Sequence, residues 1–310
     1  MVQLPAGDAR LYMRYNKILP SAQGMAIYDH MAFILHHTGE CGLYDLRTRD
    51  PNPLARFPLG SHNDGRPTKD WINHSNQCMF GKEHWEGNPI PLLYVTAGYG
   101  IGRDEEGCFF YRCAVEDIHV ERRPDGSVGR AESRLVQTIT FSGEGIERTD
   151  WEMPCWGCPA WFVDNESQFL YIFSARWRTT KEFLDHYDEN RYIITKLRKP
   201  PLTEPFVRLT AGDILDQFLL PFDILFTQGG MIAGDKLFYT FGLGRDPYPI
   251  GLRVYDLTRR CLCGTLDLSG SILGQEEIES CCFYEGELLC NTNAPVGGLY
   301  SLGTEPAKLL

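Results

Sequence analysis

The chain has 310 residues, 43% of them hydrophobic and 23% charged, with a formal net charge of −11 and a pI of about 5.2. That length builds a sizeable core, in one large domain or two small ones, and the composition excludes collagenous, low-complexity and disordered classes. The acidic balance argues against a broad surface for nucleic acid or anionic membrane, and no run reaches the ~18 apolar residues of a membrane helix.

The N-terminal MVQLPAGDARLYMRYN has no basic stretch followed by an apolar one, so it does not read as a signal peptide. The 11 cysteines are odd in number, and several fall in apolar runs, among them Cys78, Cys113 and Cys290. Reduced, mostly buried thiols in a cytoplasmic protein are the simplest expectation. Cys155-Trp-Gly-Cys158 is a CxxC without a second CxxC or a His pair at zinc spacing. Structural thiols are expected there, with a redox or metal role as the alternative.

In chain order, ARLYMRYNKIL (9–19) is strand-like but has no local partner. A unit of short apolar runs then recurs, punctuated by Gly, Asp, Asn and Pro. Its members are AIYDH, MAFILHH (31–37), CGLYDLR (41–47) and PLARFPLG (53–60). The same order returns in CMFGKE, PLLYVTAG (91–98), CFFYRCAVE (108–116) and SRLVQTITF (133–141). It returns again in WFVDNES, QFLYIFSAR (168–176), RYIITKLR (191–198) and EPFVRLTAG (204–212), and then in MIAGDK, KLFYTFGLG (236–244), GLRVYDLTR (251–259) and LCGTLDLSG (262–270). A fifth unit, CFYEGE, ELLCNTN (287–293) and GGLYSLG (297–303), lacks a last strand. Only 179–189 and DILDQFLL (213–220) suggest helix.

Four-stranded units recurring along a chain are the signature of β-propeller blades. The prediction is an all-β, five-bladed β-propeller in a single domain, closed by the N-terminal strand 9–19 joining the last blade, so that no open edge remains. The blades fall at about 23–60, 74–141, 157–212, 228–270 and 277–303 plus 9–19. This layout resembles the five-bladed propellers of glycoside hydrolases and some lectins. The resemblance is architectural and spans the whole chain. It implies a carbohydrate ligand, although the carboxylate triad of those hydrolases does not map residue by residue onto this chain.

Turns between the first and second strands of each unit are mostly short, whereas 60–73, 98–107, 142–156, 177–190, 213–226 and 243–250 are long and fall on the opposite face. Long loops on a rigid scaffold are where binding is usually built. Aligning the units on Ile27, Phe80, Phe162, Ile232 and Phe283 puts Gln23, Asn76, Cys158, Gln228 and Glu279 four residues upstream, with His74, Trp156 and Glu277 two further on. Side chains at even spacing in a strand share a side, so these should open around one channel mouth. Arg176 and Arg245 close second strands on that face, where arginine is suited to grip an anionic group.

The expected function is a hydrolase or lyase acting on a sugar, which the arginines suit to an acidic one. His74 and Glu279 are the candidate acid–base residues. Gln23, Asn76, Trp156, Arg176, Gln228, Arg245 and Glu277 are the candidate substrate-binding residues. No cofactor is required, although Glu279, Glu277, His74 and the amide oxygens have the chemistry to hold a divalent cation. The expected partner is a small molecule or oligosaccharide, with no nucleic acid and no membrane. The alternative, from a different class, is a non-catalytic propeller that binds a glycan or a protein.

Overall fold

The computed structural model describes residues 2–3, 9–16, 21–37, 39–63, 77–97, 112–154, 159–176, 188–223, 226–246, 248–271, 273, 275–293 and 297–310. Among them are 22 strands, a few 3-10 turns and no α-helix.

The short β1 (Val2–Gln3) and β2 (Arg10–Arg14) precede the first blade, which is β3 (Ala22–Tyr28), β4 (Met31–His36), β5 (Glu40–Asp45) and β6 (Ala55–Pro58). The second blade is β7 (Gln77–Phe80), β8 (Leu93–Ala97), β9 (Arg112–Arg122) and β10 (Val128–Phe141). The third takes β11 (Ala160–Val163), β12 (Phe169–Ala175), β13 (Arg191–Arg198) and, past β14 (Phe206–Leu209), β15 (Ile214–Pro221). The fourth is β16 (Thr227–Ala233), β17 (Lys236–Phe241), β18 (Gly251–Asp256) and β19 (Cys261–Asp267), and the fifth β20 (Ile278–Tyr284), β21 (Glu287–Thr292) and β22 (Gly298–Ser301).

Within each blade the strands pair antiparallel, and the inner strands β3, β7, β11, β16 and β20 neighbour one another in cyclic order, with β20 back against β3. This is a five-bladed β-propeller. The strand sequences follow from that stacking. A blade is covered on both faces, so its middle strands read as unbroken apolar runs rather than as alternation. All six residues of β4 are buried. Ala26, Phe33 and Leu43 of the first blade pack against Leu93, Val95 and Ala114 of the second. Between the third and fourth blades Phe173 stacks on Tyr239 at 4.3 Å between ring centroids, with Tyr192 and Tyr255 at 5.1 and 5.5 Å. Two-residue turns join the inner pairs of the first and last blades: Asp29 and His30 take φ 45° and 62°, and Glu285 and Gly286 take φ 48° and 83°. Two consecutive positive φ values give the turn twist that a two-residue hairpin needs.

Two strand assignments differ from the sequence reading. The 204–212 stretch, expected as the outer strand of the third blade, supplies β14, which runs parallel to β10 as a fifth strand of the second blade, from Thr138 opposite Phe206 to Phe141 opposite Leu209. Gln137 Nε2 holds the approach by donating to the Pro201 and Glu204 carbonyls, each at 2.8 Å. Thr210 and Asp213 then cap a turn that sends the chain back, Thr210 N donating to Asp213 Oδ2 at 2.8 Å. The outer place in the third blade goes to DILDQFLL, read as a candidate helix. It forms β15, antiparallel to β13 with a bulge at Lys196/Leu197. Its helical spacing of apolar residues is overridden by the open edge of β13. Ile214 and Leu220 are buried while Leu215 and Leu219 stay over 40% exposed, so the blade takes only part of the apolar set. The other candidate helix, 179–189, lies almost wholly outside the described residues.

β2 runs antiparallel to β22, from Arg10 opposite Ser301 to Arg14 opposite Gly298, and Met13 is buried with Leu289 and Leu299. β1 adds a short parallel strand outside β19. Deleting residues 1–16 is expected to lower Tm by more than about 5 °C, because it strips an edge and uncovers that cluster. A truncated chain melting with the full-length protein in a calorimetric scan would refute this.

Candidate functional site at the heads of the inner strands

Three inner strands begin with the same irregularity. β3 carries one extra residue between Ala22 and Met25, β16 between Thr227 and Gly230, and β20 between Ile278 and Ser280, each against a regular partner. Bulges of this kind re-aim a side chain out of the ladder. The residues in them are Gln23, Gln228 and Glu279, the polar residues that the alignment singled out. All three are 1–2% exposed.

Each is held by neighbours. Gln23 Nε2 donates to Glu279 Oε1 at 3.1 Å, and the Gln23 carbonyl accepts from Asn291 Nδ2. Gln228 Nε2 donates to the Gly242 carbonyl at 3.2 Å. The carbonyls of the β16 bulge, Gln228 and Gly229, accept from Tyr239 OH at 2.8 Å and Thr240 Oγ1 at 2.7 Å. These side-chain donors replace ladder partners that the bulge removes, as buried carbonyls require.

The second blade differs. β7 pairs regularly with β8, Gln77 opposite Thr96, and has no bulge. The inward polar residue is therefore Gln77, three residues before Phe80 rather than four. Gln77 Oε1 accepts from Gly230 N at 2.7 Å. That bond joins the second blade to the fourth across the middle of the ring, past the third, so at this level the propeller axis is a packed hydrogen-bonded core. Sequence reasoning missed Gln77.

Toward the channel mouth, Glu277 is half-buried and accepts from Asn293 Nδ2 at 3.3 Å. Burial pushes the Glu279 carboxyl well above its ordinary value, the negative charge of Glu277 adds to the shift, and hydrogen bonds from Asn293 and Gln23 oppose it. The head of β20 thus carries two carboxyl groups in different environments, bridged by one amide. Asn291 and Asn293 are the further site residues that the sequence reading passed over.

The expected rim is only partly described. His74, Asn76 and Trp156 lie outside the described residues, as do Cys155 and Cys158. Arg176 is engaged, its Nη2 with Glu152 and its Nη1 with the Glu189 carbonyl at 2.9 Å. Arg245 is exposed on the β17–β18 connection, where its carbonyl accepts from Tyr248 N. Trp85 stands in the β7–β8 connection on the opposite face, and Trp151 packs against the core of the second to fourth blades. Among the described residues no group of three or more His, Cys, Asp or Glu could hold a metal ion, and eight cysteines are free thiols.

No family model matches the chain, and no curated protein does. Among solved structures it is similar to the glutaminyl cyclase of Myxococcus xanthus, at 12% identity and a TM-score of 0.48 over 94% of each chain. It is also similar to Raptor of Chaetomium thermophilum, at 10% identity and a TM-score of 0.38, over 91% of this chain and 20% of that one. The likeness is one of strand arrangement and says nothing of activity.

Proposed function

We propose that the chain acts on a small hydroxyl-rich ligand of the carbohydrate class at the head of β20, as a hydrolase or lyase working by proton transfer. The observation that carries this reading is the carboxyl pair Glu277 and Glu279. A buried carboxyl beside a half-buried one, joined through a shared amide, is an arrangement an acid–base step can use. In this reading Glu279 serves as the acid and Glu277 as the base. In hydrolysis, Glu279 gives its proton to the leaving oxygen as the C–O bond breaks, while Glu277 takes a proton from the attacking water. Gln23, Gln228 and Asn293 hold the strand heads in place, and His74, Asn76, Trp156, Arg176 and Arg245 are the proposed rim.

A thermal-shift screen of neutral and acidic sugars identifies the ligand, because a compound that binds only the native state raises Tm. Turnover of the best binders is then measured. Glu277→Gln and Glu279→Gln are each expected to reduce it by about 100-fold or more. Binding without turnover in the wild type would instead favour a glycan-binding propeller, and no stabilising sugar at all would remove the carbohydrate reading.

A further inference from the structure

Gln23 and Glu279 face each other across the seam between the first blade and the last, on β3 and β20. One hydrogen bond joins them, from Gln23 Nε2 to Glu279 Oε1 at 3.1 Å. Their remaining oxygens, Gln23 Oε1 and Glu279 Oε2, are both buried and neither meets a donor in hydrogen-bond geometry; the Asn293 amide, whose bond goes to Glu277 Oε2, stands near enough to offset the effect of burial on Glu279 only in part. An amide oxygen only accepts, and a carboxylate oxygen only accepts, so an ionised Glu279 leaves a buried acceptor unsatisfied on each member of the pair. Each such group keeps the desolvation cost of burial with no bond to offset it. A neutral carboxylic acid removes both deficits at once, because its Oε2–H donates and Gln23 Oε1 accepts. An amide and a carboxylic acid have the same planar fork, so a protonated Glu279 has the shape to close a ring of two reciprocal hydrogen bonds with Gln23.

We infer that Gln23 and Glu279 form a proton-closed amide–acid pair that pins the first blade to the last, and that loss of this one proton loosens the seam. The titratable groups around the pair agree. Glu277 stands at the head of β20, with Glu276 before it, and contributes negative charge rather than compensation. The Cys282 thiol lies further along the same strand and is pushed up to about 12 by burial. Beside β21, Tyr15 OH donates to Asn291 Oδ1 at 2.7 Å, and burial raises that phenol too. On β4, His36 is opposite Ala22, the residue before Gln23. Neither leftover oxygen is bonded by a cation. Burial first, and Glu277 second, favour the protonated Glu279.

The sign follows from linkage. Glu279 holds its proton more tightly folded than unfolded, so its contribution to stability is complete below the unfolded value, about 4.3, and is lost as pH rises through the higher folded value. Glu279→Gln keeps the fork and both reciprocal bonds but has no proton to lose. Its Tm relative to wild type is therefore expected to climb with pH, by more than about 4 °C between pH 4 and pH 9. The double exchange Gln23→Glu with Glu279→Gln puts the acid on the other strand and is expected to restore the pH dependence.

Infrared spectroscopy reads the proton itself. At pH 7 the wild type and the double exchange should show the C=O stretch of a protonated carboxylic acid that E279Q lacks. The comparison with E279Q matters because Glu116, Asp117, Asp256 and Glu276 are buried carboxyls too. A Tm difference that does not change with pH overturns the pair, as does an E279Q spectrum identical to wild type. Absence of any protonated-carboxyl band in the wild type at pH 7 overturns it without a variant. None of these measurements uses a ligand, so they stand or fall separately from the carbohydrate reading.

Discussion

Replacing Glu116 with Ala is expected to cost about 3–5 kcal/mol, among the largest losses available to a single substitution in this chain. Glu116 lies on β9 and is fully buried. Its carboxyl accepts from Gly60 N and Ser61 N, both at 2.9 Å, from Ser133 Oγ at 2.8 Å, and from Ser61 Oγ. Truncation to Ala leaves four donors, two of them buried and two half-buried, without their acceptor. The contact also sets where the chain leaves the first blade, for Gly60 is pressed so closely on the second that a Cβ there would lie 2.2 Å from Leu135 N. Glu116→Gln keeps one accepting oxygen but turns an amine toward the same donors, so it should recover only part of the loss. Urea denaturation with an unchanged slope measures the effect. A loss under about 1 kcal/mol would show that water replaces the carboxyl and that the joint is dispensable.

Gly230→Ala should be as damaging, for a different reason. A Cβ at Gly230 would stand 1.9 Å from the Phe238 carbonyl oxygen and 2.9 Å from Tyr239 Cα, both on the paired strand. No rotamer relieves a clash with backbone. β16 would have to move away from β17, and the Gln77 bond that crosses the axis would stretch with it. The expected result is a loss above about 3 kcal/mol, or no folded protein. Gly270→Ala is the control: nothing lies within 4 Å of its Cβ, and its stability should change by less than about 0.5 kcal/mol. Equal behaviour of the two variants in thermal denaturation would mean that the sheet at the axis yields to a methyl group.

The blade count was legible in the sequence because stacked sheets demand the same unbroken apolar run in every unit, and MAFILHH, QFLYIFSAR and KLFYTFGLG each supply one. Gln23, Gln228 and Glu279 were legible because a polar residue at a fixed distance before a buried anchor repeats. In the second blade Gln77 also reaches the axis, and polarity did not single it out because its neighbour Asn76 is equally polar. DILDQFLL was misread because its spacing suits a helix as well as an edge strand, and the decision belongs to β13. The partner of Arg176 was invisible for a related reason: Glu152 comes from the preceding inter-blade connection and meets the arginine only once the third blade is folded.

The pairing of β2 with β22 sets an order on biosynthesis. The two strands are separated by nearly the whole length of the chain, so the segment made early meets its partner only when almost everything else has left the ribosome. Contacts of such long sequence separation are slow to form, because the loop between them must first be ordered by the other blades. Through that interval Met13 has no cover and the edge of the last blade has no partner, a condition that favours intermolecular pairing. The four other blades can assemble from local hairpins as they emerge. The fifth is the step that waits, and a nascent chain released before Gly298–Ser301 is available would carry an unfinished sheet at both of its ends.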